Sequence, residues 1–171
     1  MLTKKQKVWL EHLSNEKKIV IGPFDPTAEQ KFQIVKGQIL SILPTISVQH
    51  RGATSLGISG QDEIDVYIPV SASKFNLLIR PLTKLFGNPR SVYSLERIRF
   101  STSVDGKHVD IFLINKTSDG WINGVKFEKY LKSHANALSK YRELKENGNG
   151  LSVKEYYTRK NIFINKILKM A

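Results

Sequence analysis

The sequence predicts an α+β fold: a mixed or antiparallel sheet flanked by helices, followed by a C-terminal helical extension. Three observations carry that reading. The run Glu63-Ile64-Asp65-Val66-Tyr67-Ile68 alternates polar and β-branched residues with the period of a half-buried strand. Glu96–Ser103 and Lys107–Asn115 flank Asp105-Gly106, a dipeptide that favours a tight hairpin reversal. Apolar residues at three- and four-residue steps then mark helices before, between and after these strands.

Taken in order, residues 3 to 16 form a narrowly amphipathic helix through Val8, Leu10 and Leu13. Gly22-Pro23-Phe24-Asp25-Pro26 is a turn, and a helix from Ala28 to about Leu43 is expected to bury Phe32, Val35, Ile39 and Ile42 until Pro44 stops it. Thr45 to His50 reads as a strand, and Gly52, Gly57 and Gly60 mark a loop before the acid-bearing strand, which Pro69 is expected to end. Ser71 to Lys74 opens a helix through Phe86 with Leu77, Leu78, Leu82 and Leu85 inward, stopped by Gly87-Asn88-Pro89. After the hairpin, helical spacing begins at Val125, with Trp121 at its entrance, and runs through Phe127, Tyr130, Leu131, His134, Leu138, Tyr141 and Leu144 to Gly148-Asn149-Gly150. Ser152-Val153-Lys154-Glu155 has capping-box spacing and opens a last helix expected to bury Val153, Tyr157, Ile164, Ile167 and Leu168.

The chemistry concentrates around the glycine loop. Period-two geometry puts Glu63, Asp65 and Tyr67 on one strand face, and Asp110 is the one acid inside the apolar run Val109–Ile114. Carboxylates are costly to bury unpaired, so three of them beside a Gly- and Ser-bearing loop suit Mg²⁺ or Mn²⁺, ions that take carboxylates, water and substrate phosphates. Arg97 and Arg99 alternate with Ile98 and Phe100 and have two readings: phosphate ligands beside Asp110, or ion-pair partners of the acids on the solvent face. His50 and His108 lack the spacing of paired metal ligands and read as structural histidines.

Gly52-Ala53, the spacer Thr54 to Asp62, the unit Glu63-Ile64-Asp65-Val66 and the later Asp110 together resemble the nucleotidyltransferase superfamily, the fold shared by DNA polymerase beta and the CCA-adding enzymes. Glu-Ile-Asp-Val is similar to the acidic motif of archaeal-type CCA-adding enzymes. Ala53 departs from the pattern by replacing a Ser whose hydroxyl contacts phosphate in that superfamily, which leaves Thr54 or Ser55 as substitute donors. A second resemblance, from about residue 20 to the end, is to the GrpB family: His50-Arg51-Gly52-Ala53-Thr54-Ser55, Phe127–His134, Tyr141-Arg142-Glu143-Leu144-Lys145 and Tyr156–Ile164 carry it. These resemblances imply a nucleotidyltransferase-like core over residues 21–122, a basic N-terminal arm over 1–20 and C-terminal helices over 123–171 that pack on the core. They also imply transfer of a nucleoside monophosphate from a nucleoside triphosphate by two metal ions, with Glu63, Asp65 and Asp110 as metal ligands. Gly52, Ala53, Thr54, Ser55, Arg97, Arg99, Lys140, Tyr141 and Lys145 become the candidate nucleotide contacts. A GrpB-like module that binds nucleotide or RNA without turnover is the alternative.

Composition sets outer bounds. The chain has no cysteine, which excludes disulfides, thiolate catalysis and Cys-ligated zinc and fits a cytoplasmic protein. No apolar run approaches a membrane span, so no membrane partner is expected. The net charge of +12 is uneven: residues 126–171 hold eleven Lys/Arg against four Asp/Glu, and residues 1–20 hold five against two. Such flanks suit a polyanion, and RNA is the expected macromolecular partner; a simple solvated basic surface is the other reading.

Overall fold

The computed structural model describes all 171 residues, which divide into two compact units. One holds residues 24–58 and 62–122, the other residues 1–23, 59–61 and 123–171.

The first unit is built on five strands: β1 (Gln49–Arg51), β2 (Glu63–Val70), β3 (Ser91–Tyr93), β4 (Arg97–Val104) and β5 (Lys107–Asn115). Their order is β1-β2-β5-β4-β3, with β2 and β5 parallel and every other pair antiparallel. Helices α2 (Ala28–Ile42) and α4 (Ala72–Phe86) pack against it. Ile64, Val66, Ile68, Ile98, Phe100, Val109, Ile111 and Leu113 form the sheet's apolar contribution, meeting Phe32, Val35 and Ile39 of α2 and Phe75, Leu78 and Leu82 of α4. The mixed α+β architecture expected from the sequence is the one observed.

Several local expectations change. Strand β1 is only three residues long because Pro44 and Thr45 form a turn and Ile46 a bend before it. Strand β2 continues through Pro69: β1 pairs no further along it than Tyr67, and a proline beyond a neighbour's end removes little from the ladder. Ile42 is exposed, since the helix unwinds at Leu43 and Leu43 packs on the core instead. Leu77 is 70% exposed. It sits four residues before Pro81, whose missing N–H leaves the Leu77 carbonyl without its helical donor, and on the outer side of α4 that carbonyl can meet water. Strand β3 was not expected; three residues are too few to show alternation.

In the second unit, α1 (Lys4–Glu11) contacts α7 (Val153–Leu168), which also contacts α6 (Ala135–Glu146). Helix α5 (Asp119–Ser133) starts in one unit and ends in the other. It begins six residues before the expected Val125, with Ser118 Oγ accepting from the Trp121 N–H. The single run expected beyond Val125 is two helices, broken at His134, where the backbone leaves helical angles and the ring stacks on Tyr130. The last helix buries Tyr156 and Ile167, whereas Tyr157 is only half-buried, a shift of one residue from the expected stripe. Residues 59–61 join this unit through paired hydrogen bonds between Gly22 and Gly60.

Candidate metal and nucleotide site

The strand pairing fixes which side chains meet. Parallel register puts Glu63 beside His108 and Asp65 beside Asp110, and Asp110 faces Ser101 across β4. All five side chains lie on the sheet face opposite the apolar core, as period two requires. Carboxylate oxygens of Glu63 and Asp110 and a ring nitrogen of His108 lie within 4.8 Å of one another.

Asp110 is 4% exposed and is held from two sides. His108 Nε2 is 3.0 Å from Oδ1, and Arg99 Nη1 donates to Oδ2 at 3.4 Å. A carboxylate this buried needs such partners to stay ionised. Arg99 Nε is buried without a hydrogen-bond partner in the chain, so an acceptor from outside it, such as a phosphate oxygen, would complete the guanidinium. Of the two readings of Arg99, the ion pair is present; Arg97 instead lies over the rings of Tyr93 and Phe112, at 5.1 and 5.7 Å.

Asp65 stands outside the Glu63–His108–Asp110 group. Its carboxylate lies against Gly52, so closely that a Cβ at residue 52 would fall on Oδ2. Gly52 also has φ +76°, which other residues resist, so two independent constraints demand glycine there. Gly52–Ser55 is a short helical turn, α3 (Gly52–Ser55). Within it the Ser55 hydroxyl donates to the Gly52 carbonyl at 2.9 Å, and Thr54 Oγ1 is 2.9 Å from His50 Nε2. His50 is stacked on Phe32 and bonded through Nδ1 to Glu29 at 2.8 Å. Hydrogen bonds from Gln33 and then His50 hold the Glu29 carboxyl below its ordinary value. The chain Glu29–His50–Thr54 therefore anchors the turn, and Ala53 adds no hydroxyl.

The start of β2 is pinned separately. Asp62 has φ +62° and pairs with the Lys107 ammonium, which also lies 3.6 Å from Asp25. The Thr27 hydroxyl, then Lys31, hold Asp25 well below the usual carboxylate range. This network keeps Glu63 at the first position of its strand despite the strained residue before it. Farther along the same face the Arg51 guanidinium lies 4.8 Å from the Trp121 ring and 5.7 Å from Tyr67, which packs on Phe112.

Three other candidates lie in the second unit. Tyr141 and Lys145 are buried there: the ring packs edge-on to Phe127, and the ammonium is 3.3 Å from the Tyr156 hydroxyl. Lys140 is exposed on α6. The sequence, lacking a paired-ligand spacing, reads His108 as a structural histidine. Its signal was its place two residues before Asp110, but its proximity to Glu63 depends on the parallel pairing of β2 with β5, which no local pattern reveals.

Five strands with one parallel pair, helices on one face and polar side chains on the other make a mixed α+β fold. The GrpB protein family model matches residues 18–170, and the chain belongs to that family. It is similar to a UPF0157 protein of Vibrio cholerae, 22% identical over 161 residues, covering 86% of this chain and 79% of that protein. Among solved structures it resembles the conserved protein GrpB from Enterococcus faecalis, with a TM-score of 0.68 and 19% identity over 88% of this chain and 96% of the other. A looser superposition, TM-score 0.49 at 15% identity, is with a chain of a GLD-2/RNP-8 complex and covers 99% of this chain and 63% of that one. No helix is long and apolar enough to cross a membrane.

Proposed function

We propose that this chain is a metal-dependent nucleotidyltransferase that moves a nucleoside monophosphate from a nucleoside triphosphate to an acceptor hydroxyl. The observation that carries the reading is the meeting of Glu63 and Asp110 at the head of a parallel strand pair, with Asp65 pressed on the Gly52 turn beside them. Mg²⁺ or Mn²⁺ held by Glu63 and Asp110 would supply Lewis-acid stabilisation of charge on the transferring phosphoryl group. The chain's own groups do the rest. In this reading the Gly52–Ser55 turn receives the phosphates, and Arg99, whose Nε has no partner in the chain, offers its guanidinium to the same charge. Asp65 positions the turn and adds negative charge at the metal's edge. RNA, such as a tRNA 3′ end, is the favoured acceptor because the terminal segments carry most of the +12 charge.

The test is incubation with each α-labelled triphosphate, Mg²⁺ or Mn²⁺, and RNA, protein and small-molecule acceptors. The reading expects label on an acceptor, falling at least about a hundredfold in Asp110→Ala, which removes a ligand of the catalytic metal, and falling as well in Asp65→Ala, which removes the charge at the metal's edge and the group that positions the turn. No transfer to any acceptor overturns it. One observation favours a second reading, a binding module without turnover: Ala53 has no hydroxyl, and those of Thr54 and Ser55 are engaged within the chain. A binder would keep RNA affinity in both variants.

A further inference from the structure

We infer that His108 is itself a metal ligand, so that the centre selects a first-row transition dication such as Mn²⁺ over Mg²⁺. The inference rests on the reading of Glu63 and Asp110 as metal ligands and deepens it. Three carboxylates alone would make an all-oxygen centre suited to Mg²⁺, a hard ion that gives up its water reluctantly. The group the strands assemble is different: two carboxylates and one imidazole, all within 4.8 Å. Asp65, the acid that would have kept the set all-oxygen, is turned to the Gly52 turn instead.

The geometry suits shared coordination. His108 Nε2 and Asp110 Oδ1 are 3.0 Å apart. Two donors each about 2.1 Å from one ion and at a right angle are separated by about 3 Å, so that spacing serves a chelate as well as a hydrogen bond. Residues 108 and 110 share a face of β5 by period two, and Glu63 is the register partner of His108 on β2, so all three donors come from one rigid strand pair. His108 is exposed enough for an ion to reach it, and Asp110 is buried enough to be fixed. Imidazole nitrogen is a good ligand for Mn²⁺, Co²⁺ and Zn²⁺ and a poor one for Mg²⁺. If His108 served only as an ion-pair partner of Asp110, it would compete with the metal and weaken every dication alike.

The experiment is a titration of the full chain, free of nucleotide and acceptor, with Mn²⁺ followed by the loss of the free-ion paramagnetic resonance signal, and with Mg²⁺ by competition. Wild type is expected to bind Mn²⁺ at least about tenfold more tightly than Mg²⁺. His108→Ala should weaken Mn²⁺ about tenfold or more and change Mg²⁺ by less than about threefold, and His108→Asp, which restores an all-oxygen set, should narrow the preference. Circular dichroism confirms that both variants fold. Equal Mn²⁺ affinity in wild type and His108→Ala, or tighter Mn²⁺ binding on removal of the imidazole, overturns the inference, as does a wild type that binds neither ion. Because no turnover is measured, His108-dependent Mn²⁺ binding stands even if label transfer fails, and transfer supported by Mg²⁺ with no His108 dependence would sink this inference alone.

Discussion

The two faces of the sheet are made by the same strands and obey opposite rules. On the face under α2 and α4, Ile64, Val66, Phe100, Ile111 and Leu113 are fully buried among apolar neighbours, and their fit sets the stability of the unit. One residue along each strand the chain turns to Glu63, Asp65, Arg99, His108 and Asp110, held by ion pairs and hydrogen bonds. Burying ionisable groups returns little net stability, because desolvation offsets most of the attraction. The difference teaches that the apolar face builds the unit while the polar face adds little to its stability, so substitutions on the two should have opposite signatures.

The strongest break of that comparison is Phe100→Ala. Removing a fully buried ring should lower the unfolding free energy by about 3–5 kcal/mol, read by urea unfolding, and a loss below about 1 kcal/mol would mean the apolar face is not the stabilising one. Gly52→Ala comes next. The added methyl meets the Asp65 carboxylate and the backbone sits at φ +76°, so a loss of about 1–3 kcal/mol is expected together with weakened triphosphate binding by calorimetry. Asp110→Asn sharpens the contrast from the other side: its stability should fall by no more than about 1.5 kcal/mol, since Arg99 and His108 are both open to water, while Mn²⁺ affinity falls at least about tenfold.

The smallest effect concerns pH. The Asp25 carboxyl is held low by Thr27 and Lys31, so its folded value lies beneath its unfolded one. A group shifted this way contributes stability above about pH 4 and loses it as pH falls further. Thermal unfolding between about pH 6 and pH 2 should therefore decline more steeply in wild type than in Asp25→Asn, and parallel curves would contradict the assignment.

The fold was legible wherever a segment carries its own period. Strand β2, the Asp105-Gly106 hairpin and the helices around Phe32 and Phe75 declare themselves through alternation or three- and four-residue spacing. What escaped depends on neighbours distant in sequence. Nothing local says that β1 stops after three residues, that β3 exists, or that His134 splits a continuous apolar stripe into α5 and α6. The candidate site divides in the same way. Period two put Glu63 and Asp65 on one face and marked Asp110 as anomalous, but the letters do not show Asp65 turned onto Gly52 or His108 drawn to Glu63, because both follow from which strands pair and in what register. The surroundings of Lys145 are hidden for a related reason: a lysine near the end of an amphipathic helix reads as exposed, yet its ammonium is buried against Tyr156 and Tyr141.

The most direct test is a crystal grown with Mn²⁺ and a non-hydrolysable nucleoside triphosphate, with anomalous scattering used to locate the metal. The account predicts an anomalous peak in contact with Glu63, His108 and Asp110 and phosphate oxygens against the Gly52 turn. A nucleotide bound elsewhere, or a metal peak that touches none of those three residues, would contradict it.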